Sequence, residues 1–223
     1  MKNRTRFCGS GLHIRDIMRI LAASDTHGDQ KRILKLAEKA QKENIDVVLL
    51  CGDLTFAEND LTGIIGPFKK IGKKVMIIPG NHETEATIDF LTKQYSPGVY
   101  NLHGRSIMIY NEIGIFGCGG SNIGLFEITD EETKECLEKA LKPVKDARFK
   151  IMMVHTPPFK TQLDALWAHV GSKEIRKQIE KIQPDVCVCG HIHETFSKMD
   201  KIGKTKIINV GPEGVILNIE KKG

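Results

Sequence analysis

Residues 18–28 read Met18-Arg-Ile-Leu-Ala-Ala-Ser-Asp-Thr-His-Gly28, an apolar run that leads directly into an aspartate, a histidine and a glycine. The apolar part is short and continuous, so it predicts a buried strand over Arg19–Ser24. Apolar residues then recur at helical spacing, at Ile33, Leu36, Ala37 and Ala40. A strand followed by an amphipathic helix indicates the first unit of a layered α/β protein.

The same alternation of strands and helices continues downstream. Strands are predicted at Asp46–Cys51 and Lys74–Ile78, and helices over Asn59–Lys70 and from Thr84 onward. The middle of the chain differs, because three short strand candidates are separated by glycine-rich and polar turns. They predict a meander in a second sheet and comprise Val99–Leu102, Ile107–Tyr110 and Ile113–Phe116.

The C-terminal half again mixes both kinds of element. Thr129 and Glu132 form a capping-box pattern that predicts a helix through about Leu141. Four more strand candidates are Lys150–Val154, Asp185–Cys189 and, as a closing hairpin, Lys206–Val210 and Gly214–Ile219. A helix with Ile175, Ile179 and Ile182 on one face precedes the second of them. We therefore expect one α/β domain over residues 18–223, with two packed mixed β-sheets flanked by helices.

Composition excludes several classes of protein. Of the 223 residues, 40% are hydrophobic and 27% charged, as in a globular protein with a sizeable core. The longest apolar runs are far shorter than the roughly 20 residues that span a bilayer, so we expect no membrane-spanning helix. The net charge of +5 is modest and forms no dense basic stripe, which does not favour a nucleic-acid partner.

The first 17 residues lack the periodicity of the rest. They carry four basic residues (Lys2, Arg4, Arg6, Arg15) and one acidic residue (Asp16). We expect residues 1–17 to be a disordered or non-native extension, with Met18 as the true start. Since no apolar segment of signal-peptide length precedes Met18, the six cysteines are expected in a reducing, cytoplasmic location.

Side chains that can bind a metal stand directly after the predicted strands. In open α/β sheets the carboxyl ends of strands converge on one crevice, which is where ligands bind. Residues two positions apart in an extended segment point to the same side, as expected for Asp25 with His27 and for His191 with His193. The full set comprises Asp25, His27, Asp53, Asn81, His82, His155, His191 and His193.

This set offers only oxygen and nitrogen donors. Such donors suit Mn, Fe, Co, Ni or Zn rather than Ca or Mg alone. The ligands are too numerous for one ion, so two ions that share a bridging carboxylate are the simplest solution.

In order and spacing, the motifs resemble those of the calcineurin-like metallophosphoesterases. The matching segments are Asp25-Thr-His27, Gly52-Asp53, Gly80-Asn81-His82-Glu83, His155 and Gly190-His191-Ile192-His193. The resemblance spans roughly residues 18–220. It implies a four-layer α/β/β/α sandwich and a hydrolase that acts on phosphoester bonds with two divalent metal ions.

The resemblance also implies a role for each residue. One ion would be held by Asp25, His27, Asp53 and His193, and the other by Asp53, Asn81, His155 and His191. Asp53 would bridge both ions beside a water or hydroxide, because two ions about 3.5–4 Å apart generate hydroxide and clamp a phosphoryl group. His82 is the implied catalytic residue, which protonates the leaving group or stabilises charge on a phosphoryl oxygen.

Differences between this sequence and other branches of the family narrow the range of expected substrates. Protein serine/threonine phosphatases of this fold follow Gly-Asp with a further Asp-Arg-Gly, whereas Gly52-Asp53 runs here into Leu54-Thr-Phe56. Phosphodiesterases with cysteine after the asparagine match less well because His82 is present, and the nuclease branch is usually longer.

We expect hydrolysis of a small phosphodiester, with manganese as the first choice of metal and Fe, Zn, Ni or Co as alternatives. His82 can protonate a poor alkoxide leaving group, and no arginine cluster marks a pocket for a dianionic monoester. A phosphomonoesterase of the same fold, or a non-catalytic scaffold, is the alternative. The oligomeric state is left open.

A few residues outside these motifs are also considered as functional candidates. His169 is a candidate for the lining of a substrate pocket, in a loop before a helix that Ser172 is expected to cap. The glycine-rich segment Gly117–Asn122 is a candidate for the rim of the metal site. Cys187 and Cys189 are expected in the core, and His13 and His103 are assigned no function.

Overall fold

The computed structural model describes residues 17–220, which form eleven strands and five α-helices. The strands are β1 Ile17–Ala23, β2 Val47–Cys51, β3 Lys74–Ile78, β4 Val99–Asn101, β5 Ser106–Ile109, β6 Ile113–Cys118, β7 Phe149–Val154, β8 Val186–Cys189, β9 Met199–Ile202, β10 Thr205–Asn209 and β11 Val215–Glu220. The helices are α1 Gln30–Lys42, α2 Gly66–Lys70, α3 Glu85–Gln94, α4 Asp130–Leu141 and α5 Lys173–Ile182. No helix in this part of the chain is long and apolar enough to cross a membrane.

The strands form two mixed sheets. The five-stranded sheet has the order β11-β1-β2-β3-β4, in which β1 to β4 are parallel and β11 is antiparallel to β1. The six-stranded sheet has the order β5-β6-β7-β8-β10-β9, with antiparallel strands at both edges. The parallel core of each sheet aligns the carboxyl ends of its strands, and the predicted site residues follow those ends.

Three apolar clusters define four layers. Between the sheets, side chains of β2 and β3 such as Leu49 and Met76 pack with Ile115 of β6 and Met153 of β7. Helices α1, α2 and α3 cover the outer face of the five-stranded sheet. Helices α4 and α5 cover the outer face of the six-stranded sheet. The predicted α/β/β/α sandwich is therefore confirmed.

Polar side chains cap the N-termini of α1, α4 and α5. The Asp29 carboxylate accepts the N–H groups of Lys31 and Arg32 at the start of α1. Thr129 and Glu132 form the predicted capping box of α4, and Ser172 caps α5 as predicted. Cys187 and Cys189 are buried beneath α5, which confirms that they belong to the core.

The predicted helix over Asn59–Lys70 is wrong except for its last turn and a half, Gly66–Lys70. Upstream of Gly66, the Asp60 carboxylate accepts the Thr62 N–H in a local turn, and Gly63 has a φ of +73°. A side chain that bonds its own backbone competes with helix formation, and a left-handed residue interrupts it.

The predicted meander and closing hairpin are also wrong. The strand at Val99–Asn101 pairs parallel with β3 in the first sheet, so only β5 and β6 form the hairpin. At the C-terminus, β10 lies between β8 and β9, whereas β11 pairs with β1 in the other sheet. The almost wholly apolar β1 needs a partner on its free edge, and the alternating residues of β11 provide one.

Residues 1–16 lie outside the described part of the chain. The predicted extension over residues 1–17 and the single domain over residues 18–223 therefore stay predictions. Ile17, the last residue of the predicted extension, already pairs with Glu220 in β1.

Candidate metal centre

Five turns bring the predicted site residues together. Each turn follows the carboxyl end of a parallel strand: β1, β2 and β3 of the first sheet, and β7 and β8 of the second. The structure places all eight predicted residues in this one crevice, although they span the chain from Asp25 to His193.

Asp53 lies at the centre of the group. Its Oδ2 atom is 3.4 Å from His155 Nε2, 3.9 Å from His82 Nε2 and 4.0 Å from His27 Nε2. Its Oδ1 atom accepts the backbone N–H of His82 at 3.0 Å. The carboxylate thus presents one oxygen to three imidazoles, while the other oxygen holds the neighbouring turn in place.

Asp25, His27 and His193 form one half of the centre. His27 Nε2 is 3.3 Å from His193 Nε2, which lies 3.6 Å from Asp25 Oδ1. The His191 N–H donates to both oxygens of Asp25 at 3.1 Å, so the carboxylate is oriented by the opposite sheet.

His155, Asn81 and His191 form the other half. His155 Nδ1–H donates to the Cys51 carbonyl at 2.8 Å, which turns Nε2 toward the crevice, 3.1 Å from Asn81 Oδ1. A backbone hydrogen bond of this kind commonly orients a metal-binding histidine. His191 Nε2 lies 3.2 Å from Ser121 Oγ, so the segment Gly117–Asn122 does reach the site.

The donor atoms fit the metal ions that the fold family uses. Ligand atoms of Asp25, His27 and His193 lie within 4.8 Å of one another, and so do those of Asp53, His155 and His191. The buried His27 Nδ1 has no hydrogen-bond partner among the described residues. Several imidazole rings converge here, and few protein groups form hydrogen bonds with their nitrogen atoms. Divalent cations bound to these nitrogens would fill that role.

The charged groups inside the crevice shift each other's pKa. Burial opposes ionisation of Asp53, but the nearby imidazoles, His155 above all, hold the pKa of its carboxyl below the usual range. Burial alone would lower the pKa of His155, yet the Asp53 carboxylate raises it to about 9. Burial and the neighbouring His155 lower the pKa of His191 to about 4. Without a cation, a proton on His155 therefore balances Asp53.

The backbone of the site is held in a rare conformation. Four of the eight site residues have positive φ angles: Asp25 (55°), His27 (45°), Asp53 (52°) and His191 (71°). Left-handed backbone is uncommon outside glycine and costs of the order of 1 kcal/mol or more per residue. Such strain is concentrated at functional sites, where the surrounding structure enforces it.

Glycines let the turns approach each other closely. A Cβ at Gly190 would overlap Ser24 and the Asp25 carboxylate, and one at Gly80 would overlap Asp53. A Cβ at Gly124 would collide with the Asn81 side chain. These three glycines therefore provide space for the side chains of the predicted site.

Glu83 is a functional residue to which the sequence motif gave no role. It is buried, and its carboxylate accepts the N–H groups of Asp53, Gly80 and Thr55 at 2.7–3.0 Å. The Thr55 hydroxyl donates to it as well, at 2.8 Å. Burial and the nearby Asp53 raise the pKa of Glu83. One side chain thus ties the β2 turn to the β3 turn.

His82 has a defined tautomer. Its Nδ1 accepts the Ala57 N–H at 3.2 Å, so the neutral ring carries its proton on Nε2, the atom that faces Asp53. The exposed Phe56 ring stacks beside it, with ring centroids 5.1 Å apart. The side chain that was predicted as proton donor therefore presents an N–H to the crevice.

A cavity of about 420 Å³ is lined by Asn122, the residue that follows Ser121 in the chain. His169 lines it, as does Phe159, and His169 Nδ1 lies 2.9 Å from Asp164 Oδ1. The ammonium groups of Lys160 and Lys173 lie 5.6 and 5.4 Å from the Phe159 ring centre. His169 thus lines a cavity that begins at the end of the glycine-rich segment, and its contact with a substrate stays a prediction.

The four-layer sandwich and its histidine–aspartate crevice define the class of protein. The family model for calcineurin-like phosphoesterases matches residues 18–195. An uncharacterized protein of Methanocaldococcus jannaschii is 32% identical over 215 residues, covering 92% of this chain and 93% of that protein. The chain belongs to the calcineurin-like phosphoesterase family and is a metal-dependent phosphoesterase.

Solved structures share the fold at low identity. The protein TT1561 of Thermus thermophilus superposes with a TM-score of 0.70 at 18% identity, covering 88% of this chain and 91% of that one. A dimetal phosphatase from Danio rerio superposes with a TM-score of 0.62 at 10% identity, covering 87% of each chain. These similarities concern the fold alone.

Proposed function

We propose that the protein hydrolyses a small phosphodiester at a dinuclear metal centre, with His82 as proton donor to the leaving group. One metal would be held by Asp25, His27, Asp53 and His193, and the other by Asp53, Asn81, His155 and His191. The observation that carries the proposal is the position of Asp53 Oδ2, which faces imidazoles of both halves at 3.4–4.0 Å. A shared carboxylate is the donor that two ions would need in common.

When bound, the two ions would supply a nucleophile by lowering the pKa of water, and neutralise charge on the phosphoryl oxygens. The chain's own residues orient the ligands. Glu83 and the His191 N–H hold Asp53 and Asp25, and Cys51 holds His155. Manganese is our first choice of metal, and the oxygen and nitrogen donors also suit Fe, Co, Ni or Zn.

His82 acts on the leaving group in this proposal. The Ala57 N–H occupies its Nδ1, so Nε2 is the ring atom that can donate a hydrogen bond to a departing oxygen, and the protonated ring can give that oxygen a proton. Such help matters most for an alkoxide, which is a poor leaving group. It matters least for a nitrophenolate, which leaves as a stable anion.

The arginines support a diester rather than a monoester. Each of the five arginines between residues 17 and 220 forms an ion pair with a carboxylate. None of them is among the groups that face Asp53 in the crevice. A dianionic monoester is commonly bound by a bidentate arginine, whereas a monoanionic diester needs less positive charge.

The experiment compares bis(4-nitrophenyl) phosphate with 4-nitrophenyl phosphate, using protein stripped by a chelator and reloaded with Mn²⁺. We expect faster diester turnover that is absent from the stripped protein and from Asp53→Asn. Asp146→Asn, a change at an exposed aspartate, is the matched control and should keep full activity. Monoester preference would identify a phosphatase, and no turnover with any divalent metal would favour a scaffold.

A second comparison isolates His82. His82→Asn keeps an acceptor for the Ala57 N–H but removes the Nε2 proton. With an alkyl leaving group we expect kcat to fall by about 10²–10³-fold, and with 4-nitrophenolate by much less. An equal loss for both leaving groups would show that His82 is not the proton donor.

A further inference from the structure

Outside the metal centre, one histidine and two cysteines lie together behind the six-stranded sheet. A ring nitrogen of His103 and the sulfur atoms of Cys118 and Cys136 lie within 4.8 Å of one another. Cys118 ends β6, Cys136 is on α4, and His103 follows β4. We call this group the thiol cluster.

The hydrogen bonds of the thiol cluster decide its chemistry. His103 Nδ1 accepts the Gly119 N–H at 3.1 Å, so the neutral ring carries its proton on Nε2. A metal ligand needs a lone pair at that atom, whereas a thiolate needs a proton donor. The cluster therefore favours a stabilised thiolate over a bound metal ion.

Cys136 is the thiol that ionises first. Hydrogen bonds from Cys118 and His103 lower the pKa of the Cys136 thiol, while the bond to Cys136 and burial raise the pKa of Cys118. The charged groups around the cluster are Glu85 of α3, Glu132 and Lys139 of α4, and Arg105 of the turn after β4. Cys136 Sγ also lies 3.9 Å from the Gly117 carbonyl oxygen, and Cys118 Sγ lies 3.5 Å from that of Gly119, so ionisation of Cys136 gives up only a weak bond to Gly117.

The other described cysteines are a natural contrast. Cys51, Cys187 and Cys189 are completely buried, and burial raises the pKa of each thiol. Cys136 is buried as well, but 9% of its surface is exposed. A cavity of about 540 Å³ reaches the cluster at His103, which lines it together with Gly119 and Gly120.

We propose that Cys136 is a nucleophilic thiolate that hydroperoxides oxidise, with Cys118 as the thiol that then closes a disulfide. The thiol cluster alone carries this proposal, which is independent of the phosphoesterase function. Reactive cysteines are expected beside a proton donor with partial exposure, and a neighbouring thiol makes their oxidation reversible.

The reaction has two balanced steps. The Cys136 sulfur attacks the terminal oxygen of R–O–OH: an S–O bond forms, the O–O bond breaks, and RO⁻ leaves and takes a proton to give ROH. Cys118 then loses its proton and attacks the Cys136 sulfur: an S–S bond forms, the S–O bond breaks, and water leaves. The hydroperoxide gains two electrons, and the thiol pair loses two.

The test uses Cys8→Ser protein throughout, because Cys8 lies outside the described residues. Reduced protein is treated with hydrogen peroxide at pH 7, denatured with an alkylating reagent and analysed by peptide mass spectrometry. We expect peptides of Cys118 and Cys136 joined by a disulfide, and alkylated thiols at Cys51, Cys187 and Cys189. In Cys118→Ser, Cys136 should stop at a sulfenic acid that dimedone traps.

The variant His103→Asn tests whether His103 activates Cys136. Asparagine keeps an acceptor for the Gly119 N–H but lacks the Nε2 proton. Iodoacetamide should label Cys136 about 10-fold more slowly at pH 7 in this variant, and equally fast at a pH where the thiol ionises unaided. Cys187→Ala is the matched control and should change neither rate. Circular dichroism and thermal melting check that each variant is folded.

Three results would overturn the proposal. They are no oxidation of Cys136 in the parent protein, uniform oxidation of all cysteines, and one equivalent of bound zinc that protects both thiols. The last would assign the thiol cluster to a metal ion. The labelling rate of the parent protein tests the proposal even where a variant fails to fold.

Discussion

The Glu83 carboxylate and the backbone N–H of Asp53 form a buried hydrogen bond of 3.0 Å that joins two turns of the metal centre. The same carboxylate accepts the Gly80 N–H, also at 3.0 Å. Asp53 and Asn81, two of the proposed ligands, are therefore positioned through a buried residue that is not itself a proposed ligand. This relationship makes Glu83 a positioning residue.

Glu83→Gln should weaken both folding and metal binding. The amide replaces one acceptor oxygen by a donor, which then faces backbone N–H groups in a buried place. We expect a loss of about 2–4 kcal/mol in the free energy of unfolding. Metal affinity should fall about 10–100-fold, as for other groups that orient ligands.

Urea unfolding and calorimetric titration with Mn²⁺ measure these effects. Glu135→Gln, at an exposed position of α4, is the control and should change neither quantity. Unchanged metal affinity in Glu83→Gln would refute the positioning role.

Gly190→Ala should weaken metal binding, whereas Gly72→Ala should leave it unchanged. The Gly72 site has φ of +69° but open space, so alanine there carries only backbone strain of about 1 kcal/mol. A Cβ at Gly190 would overlap Ser24 and Asp25, so those residues would have to move. We expect a lower Tm and weaker Mn²⁺ binding for Gly190→Ala, and unchanged Mn²⁺ binding for Gly72→Ala. Equal metal affinities would contradict the close-packing argument.

Metal-free protein should be most stable near pH 6.5. The pKa of His155 is raised to about 9 from 6.5, so its contribution is complete below pH 6.5 and is lost as pH rises through 9. The pKa of His191 is lowered to about 4, so its contribution is complete above pH 6.5 and is lost as pH falls through 4.

Urea unfolding of chelated protein between pH 4 and 10 measures this profile. His155→Gln should flatten the alkaline limb, and His191→Gln the acid limb. A profile that is unchanged in both variants would refute the assignment.

Mn²⁺ should raise the melting temperature of the stripped protein. A ligand that binds only the folded state stabilises it by about 2.7 kcal/mol at 100 times its Kd. Asp53→Asn should show little of this shift, because both halves of the centre lose a donor, whereas Asp146→Asn should show all of it. A full shift in Asp53→Asn would mean that Asp53 does not serve both ions.

Much of the crevice could be predicted because each site residue stands next to its own strand in the sequence. Asp25, Asp53 and His155 directly follow short apolar runs, and such runs are strands wherever the chain can bury them. Parallel strands carry their carboxyl ends to the same edge, so the gathering of distant residues follows from local patterns alone.

Strand partners could not be predicted, since pairing depends on contacts between distant segments. The short run at Val99–Asn101 reads the same whether it joins β3 or β5, and its place was set by the free edge of β3. The strand β9 was missed because Met-Asp-Lys-Ile has only two apolar residues, too few to show a period.

The hydrogen bonds that support the site residues could not be predicted from the sequence either. The bonds from Ala57 to His82 and from Ser121 to His191 join residues with no common motif. The left-handed φ angles of Asp25 and His191 have no signal in sequence, because neither residue type requires that conformation.

The pairing of β11 with β1 has a consequence for protein synthesis. Residues 215–220 leave the ribosome after every ligand of the centre, yet they alone cover the free edge of β1 in the described chain. A copy interrupted before residue 215 would expose the backbone of an almost wholly apolar strand to other unfinished chains. Truncated copies are therefore expected to aggregate or be degraded, so that solubility itself reports a completed C-terminal strand.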